Sequence, residues 1–334
     1  MGVRTTAEGT EGGNVRFSCI LAALIAAFAA ATSHAQYSSD RPIRLLVPFA
    51  PGSGTDVSAR LLAQSLAEAI KRPVVIENRP GALGVIATDA AAKAAPDGHT
   101  LVATGSTALA AGPSLFKKLP YDPVHDFSPI YLLATAPLAL FVAADSPAKS
   151  LNELVAMAKA QPGRLSYASG NATGAVAGEM LKQLAGIDLL HVPYKNSPQA
   201  LADIASGVVN MMFNDLAGAT PLMKAGRIRA LAITSRARSP VLPAVPSLYE
   251  SGYRGYELYN WVGILAPAKT PREIVNFLAG EIGKIAARPD FKERFERVGL
   301  DLVVPSGPAE FASFIDREIA LWSRQIKAAG IQPQ

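Results

Sequence analysis

The sequence predicts an α/β protein of two lobes with a ligand cleft between them. Three observations carry this expectation. Strand-length apolar runs alternate with amphipathic runs along the chain, the rhythm of mostly parallel sheets covered by helices. Apolar residues make up 49% of the 334, enough for large cores, and the length suits roughly two domains. Two small-residue loops stand between a strand and a helix, where sheets of this class hold their ligands.

The first apolar run is read as a leader rather than as fold. Arg16 is followed by "FSCILAALIAAFAAATSHA", and Ser33-His34-Ala35 fits the small-x-small cleavage rule with the cut before Gln36. The apolar core, Phe17 to Ala31, falls short of a ~20-residue membrane span. Residues 1–35 are therefore expected to be a cleavable signal peptide, and the mixed-charge stretch before Arg16 suggests a translation start near Val15. Cys19, the sole cysteine, lies inside this segment and precedes its apolar run, so it is not a lipobox cysteine. The mature chain, Gln36 to Gln334, can form neither a disulfide nor a thiolate metal site. An exported protein without disulfides points to a bacterial periplasm.

The elements follow in order. "IRLLVPF" from Ile43 reads as a strand. "VSARLLAQSLAEAI" places Leu62, Leu66 and Ile70 on one helical face. "VVIE" is a strand, "GVIATDAAAKAA" a helix and "TLVAT" a strand, the last two separated by the turn signal Pro96-Asp97-Gly98. "LALFVAADSP" suggests a crossover into a second sheet. Ser150-x-x-Glu153 and Thr270-x-x-Glu273 read as capping boxes opening Leu151–Ala160 and Pro271–Ala287, with Pro271 at a first helical position. Ser197-Pro198 opens another helix in the same way. "YELYNWVGILAPAKT" is the strand-like return crossing. The expected division is residues 36–137 and 259–334 for lobe 1, and residues 138–258 for lobe 2. No period of 20–50 residues repeats, which excludes a solenoid.

The net charge is +5, but the basic residues are scattered, as at Arg227 and Arg229, Arg236 and Arg238, and Lys292 and Arg294. No like-charged block and no interleaved aromatics occur, so nucleic acid is not an expected partner. What remains is a soluble protein with a mild attraction for small anions.

The strand–turn–helix "PFAPGSGTD" runs from Pro48 to Asp56 and includes Ala50, Gly52, Ser53, Gly54, Thr55 and Asp56. Such a turn aims backbone N–H groups, and the positive end of a helix dipole, at whatever lies over it. Gly52 and Gly54 permit close approach, and Thr55 or Asp56 is the expected N-cap. Val57 stands where a dinucleotide fingerprint needs its third glycine, a Gly-Lys-Ser/Thr sequence is absent, and Gly52-Ser53-Gly54 is too short for a nucleophile elbow. "RLSYASGNATGAVAGEMLKQLAG" repeats the arrangement with Ser169, Gly170, Asn171, Ala172, Thr173 and Gly174 in its loop. One helix start from each lobe, facing one cleft, would hold a small anion between them. Tyr194, Asn214, Asp215 and Trp261 fall at strand ends and complete the set of candidate ligand-binding residues.

Catalytic constellations are thin. His99 follows a turn and is expected to be exposed, His125 lies in a loop, and His191 falls at a strand end. Metal-ligand spacing such as H-E-x-x-H is absent. Asp122 and Asp126 read as solvated loop residues. No catalytic residue, metal or cofactor is expected.

Taken together, "RPIRLLVPFAPGSGTD", "VVIENRPGALG", "AAPDGHTLV", "PSLFKKLPYDPVHDFSPI", "HVPYKNS", "MMFNDLAGATPLMKAGRIRALAITS" and "WVGILAPAKTP" resemble the periplasmic solute-binding proteins of tripartite tricarboxylate transporters, the Bug family. The resemblance covers nearly all of the mature chain. It implies a periplasmic binding protein type II-like fold that closes like a Venus flytrap. It further implies a ligand carboxylate held, often through ordered water, by Gly52–Asp56 and Ser169–Gly174. The implied partners are a small carboxylate (di- or tricarboxylate, amino acid or aromatic acid) and the integral membrane subunits of the transporter, with the binding protein itself a monomer. The chain departs from the family pattern at Ser53, at Leu83, at Ala175-Val176, where a polar pair is common, and in the order of Asn214-Asp215. Leu83 and Val176 suggest a less polar pocket. Two other readings share the same cleft: an exported α/β enzyme acting on a carboxylate, and a ligand receptor feeding a sensor protein.

Overall fold

The computed structural model describes residues 1–2 and 41–333; the apolar leader with Cys19 and the cleavage site before Gln36 lies outside the described residues. The chain divides into two units, residues 1–41 and 42–334, and the second contains every element described below.

Strand β1 (Ile43–Val47) buries every side chain but Arg44, which reaches Glu77 of β2 (Val74–Asn78) at 2.8 Å. β1 pairs in parallel with β2 on one side and with β3 (Thr100–Gly105) on the other. β3 is buried along its whole length, as a strand covered on both faces must be. Helix α1 (Gly54–Ile70) turns Ala59, Leu62, Ala63 and Leu66 inward, and α2 (Val85–Ala92) follows β2.

β4 (Phe127–Ala143) is the spine. Its 17 residues extend about 55 Å at ~3.3 Å each. Phe127 to Pro137 pair antiparallel with β9 (Tyr259–Pro267), whereas Leu138 onward pairs with β7 (Met211–Asp215) and β8 (Ile228–Ile233). Proline donates no ladder bond, so it belongs at bulges and where pairing changes. Pro129 adjoins the first register shift and Pro137 marks the change of sheet. Thr234 ties this point together: its hydroxyl accepts from Leu138 N (2.8 Å) and donates to Leu258 O (2.6 Å).

Beyond β4, β7 pairs in parallel with β5 (Ser166–Ser169), and β5 with β6 (Leu190–Pro193), giving the order β2-β1-β3-β9-β4-β7-β5-β6. The expectation of mostly parallel sheets needs correction. Parallel pairing holds for β1–β3 and β5–β7, while every pair involving β4 or β9 is antiparallel. The chain leaves along β4 and returns along β9, and an outgoing and a returning strand that lie side by side must run in opposite directions.

Helix α3 (Leu151–Ala160) is capped by Ser150, which accepts from Glu153 N at 3.2 Å, while Glu153 reaches Lys149 N. The capping box expected at Thr270 does not form. Its hydroxyl donates to Pro267 O at 2.7 Å, and Pro271 precedes α7 (Arg272–Ala286) without a side-chain cap. After α8 (Pro289–Glu296) and the short β10 (Asp301–Leu302), α9 (Pro308–Ala328) packs on β4. Glu318 of α9 accepts from the indoles of Trp261 (2.8 Å) and Trp322 (3.1 Å), so one buried carboxylate fastens the last helix to β9.

Candidate functional site

Four parallel strands end at the starts of helices: β1 at α1, β5 at α4 (Ala172–Ala185), β6 at α5 (Ser197–Ala205) and β7 at α6 (Leu216–Lys224). Each start is capped by a side chain just ahead of it. Ser53 accepts from Asp56 N (3.3 Å), Asn171 from Gly174 N (2.8 Å), Asn196 from Gln199 N (2.9 Å) and Asp215 from Gly218 N (2.9 Å). The cap of α1 is thus Ser53 rather than Thr55 or Asp56, and that of α5 lies one residue ahead of Ser197.

Asp56 has a different task. Its buried carboxylate accepts from Gly52 N (2.9 Å), Arg60 Nε (2.9 Å) and Asn78 Nδ2 (2.8 Å). Burial alone would raise its pKa; the bonds from Arg60, Asn78 and Gly52 outweigh burial and hold the carboxyl below its usual range. Asp56 therefore shapes the loop, with Gly52 at φ 82° and the Ala50 carbonyl accepting from Ser53 N at 3.1 Å. Thr55 is buried beside it. The loop is seated against α6: a Cβ on Gly54 would overlap the Asp215 carboxylate. The second loop is seated against α5, since a Cβ on Gly170 would overlap the Asn196–Ser197 backbone.

A cavity of about 550 Å³ opens beside α4. Of the sequence-predicted residues, Ser169, Asn171, Ala172 and Tyr194 line it; Gly52–Asp56, Asn214, Asp215 and Trp261 do not. Thr173 donates to Asn260 Oδ1 of β9 at 3.3 Å, and Gly174 is taken up by the Asn171 cap. Asn214 is buried and donates to the Asp215 carbonyl (3.0 Å). Trp261 is a core residue, packed edge-on by Phe311 and Phe314. Leu83 lines the cavity, in keeping with a less polar pocket, but Val176 points into the core and Ala175 takes its place.

Sequence reasoning missed three lining residues, Tyr167, Glu179 and the cavity-facing position of His191. Ser169 Oγ lies 2.7 Å from His191 Nε2, and Tyr167 stacks on the imidazole with centroids 4.6 Å apart. The β5–β6 register sets Tyr167 beside His191, a pairing no local pattern reveals. Tyr167 OH donates to Glu179 (2.6 Å), which also pairs with Lys182 (3.2 Å). Burial holds His191 below its usual pKa, while Glu179 and Lys182 act on it in opposite directions, leaving the imidazole neutral at neutral pH. Glu179 was legible in principle, because Ala172, Ala175 and Glu179 fall on one helical face once Asn171 is the cap.

His99 is buried, contrary to expectation, because the Arg44 N–H of β1 bonds its carbonyl at 2.8 Å. His125 sits in an exposed loop 3.1 Å from Asp122. Among the described residues, no group of three or more His, Cys, Asp or Glu side chains could hold a metal, and no helix is long and apolar enough to cross a membrane.

Asp215 provides a test of this packing. Burial raises its pKa, against the pull of the Gly218 amide. A carboxyl whose folded pKa exceeds its unfolded value, about 3.9, costs stability as the pH rises past that value. Asp215→Asn keeps the cap and removes the charge. The variant should match the wild-type Tm near pH 3.5 and exceed it by a few degrees at pH 7. A variant less stable than wild type at pH 7 would show that the charge is compensated.

A family model described as "Tripartite tricarboxylate transporter family receptor" matches residues 58–331. Protein BugT of Bordetella pertussis is 37% identical over 294 residues, covering 87% of this chain and 90% of BugT. Among solved structures, the periplasmic binding protein BugD superposes with a TM-score of 0.84 at 33% identity, covering 89% of this chain and all of BugD. R. palustris Rpa4515 with adipate superposes with a TM-score of 0.85 at 34% identity, covering 88% of this chain and 99% of that one.

Proposed function

Since this chain belongs to the tripartite tricarboxylate transporter receptor family and is a solute-binding protein, not an enzyme, we propose that it captures a small carboxylate in the cavity beside α4. The observation that carries this reading is the start of α4. The Asn171 side chain takes the Gly174 amide, and the amides of Ala172 and Thr173 have no intrahelical acceptor. Ala172 and Ser169 line the cavity at this point. A carboxylate here meets amide donors, a hydroxyl and the positive end of the helix dipole. The adipate held by Rpa4515 supports a carboxylate as the ligand.

Loop Gly52–Asp56, rather than lining this cavity, acts on the same reading as the closing contact. Residues 36–137 with 259–334, and residues 138–258, move as two lobes about the two crossings, where Pro137, Leu138, Thr234 and Leu258 meet. A ligand favours the closed form only by the extra affinity it has for it. BugD is a periplasmic binding protein, which supports the periplasm as the site of this chain as well. Export by a cleaved leader, work as a monomer and delivery to the membrane subunits of a tripartite transporter complete the proposal.

The test is a thermal-shift screen with carboxylates on protein stripped by unfolding and refolding. At a hundredfold excess over Kd a true ligand adds about 2.7 kcal/mol, or several degrees in Tm for a chain of this size. Ala172→Pro removes one of the cavity amides at the first helical position, where proline is tolerated, after a residue that is already extended. The variant should fold and lose about tenfold or more in affinity, roughly one charge-assisted hydrogen bond. Unchanged affinity in Ala172→Pro would displace the carboxylate from this helix start.

A further inference from the structure

The same cavity carries information on what lies beyond the carboxylate. Ala172, Ala175 and Glu179 line one wall and fall on one face of α4. Seven residues at 1.5 Å each separate the first from the last, so that wall is about 10 Å long. A ligand anchored by its carboxylate at Ala172 points its far end at Glu179. Apolar groups make up much of the rest of the lining: Leu83, Leu115, Ile331 of the C-terminal segment and the ring of Tyr167.

The charges at the far end are unequal to a second anion. Among the described residues, no lysine or arginine lines the cavity. Lys182, the nearest cation to Glu179, is committed to that carboxylate at 3.2 Å. The Tyr167 hydroxyl also donates to Glu179 at 2.6 Å. A second carboxylate would meet a like charge with its donors already engaged. An ammonium group would compete with Lys182 for an acid that is already paired.

We infer that this cavity selects monocarboxylates with an uncharged aliphatic or aromatic body about 10 Å long or less, and that Glu179 is the residue that turns dicarboxylates away. The inference rests on the carboxylate reading above and narrows it.

Three ligands of one length and different end charge decide it: hexanoate, adipate and 6-aminohexanoate. Benzoate and terephthalate repeat the comparison with a rigid body. Calorimetry on stripped protein should find the neutral-ended member of each series binding at least tenfold more tightly than its dicarboxylate counterpart, the direction that like-charge juxtaposition dictates, and hexanoate binding more tightly than 6-aminohexanoate, whose ammonium must displace Lys182 from Glu179. Glu179→Gln keeps an acceptor for Tyr167 and frees Lys182. In that variant the ratio of adipate to hexanoate affinity should rise tenfold or more, a change that a purely structural role for Glu179 would not produce. Adipate or terephthalate binding as tightly as its neutral partner in the wild type would overturn the inference and leave the carboxylate reading standing. Preference for 6-aminohexanoate would overturn it by making Glu179 a cation site. Failure of all five to bind would overturn the carboxylate reading itself.

Discussion

Gly170→Ala will lower the melting temperature and abolish ligand-induced stabilisation together. The added methyl has nowhere to go: it overlaps the main chain of Asn196 and Ser197, at the start of α5, not the movable end of a side chain. Overpacking of this kind costs about 1–3 kcal/mol when neighbours can adjust, and here the obstacle is backbone. The only relief is for the loop between β5 and α4 to withdraw, carrying Ser169 and Asn171 out of the cavity wall. Gly280→Ala is the control, since no atom lies within 4 Å of its added methyl. It sits inside α7 and should gain about 0.4–1 kcal/mol from the less flexible unfolded chain. If Gly170→Ala melts and binds as wild type does, the two helix starts are not packed as described.

The largest stability loss away from the site is expected for Glu318→Leu. The carboxylate is buried and accepts from both tryptophans of the chain. Replacing it leaves two indole N–H groups buried without an acceptor, at about 1–3 kcal/mol each. The expected fall in Tm is on the order of 10 °C. Burial raises the pKa of Glu318 against the pull of the two indoles, so the charge is not what the site needs most. Glu318→Gln, which keeps an acceptor, should therefore recover most of the loss. Because Trp261 and Trp322 are the only tryptophans, their emission reports the change directly. A Glu318→Leu protein that melts within a degree or so of wild type, with unaltered emission, would refute the clamp.

Much of the fold was legible because it depends on short-range order. Alternating apolar runs located β1, α1, β2 and β3, and the small-residue loops located the starts of α1 and α4. Ser150 caps α3 as its spacing predicts. The errors arose where a distant partner decides the matter. Thr270 has the spacing of a capping residue, yet its hydroxyl finds Pro267 O as the chain leaves β9. His99 follows an exposed kind of turn, yet β1 pairs beside it and buries it. Trp261 ends a crossing in sequence, but the acid that receives its N–H lies 57 residues later on α9.

By itself the sequence determined the family, the alternation of strands and helices, and a small-residue loop at Ser169–Gly174 ahead of a helix, because periodicity, capping and small-residue turns act within a few residues. Only the tertiary structure decided the rest of the cavity lining. Ser169 meets His191, and Tyr167 reaches Glu179, through the register of β5 against β6 and the docking of α4. Such contacts join residues whose spacing along the chain carries no period, and the burial of the whole assembly fixes them.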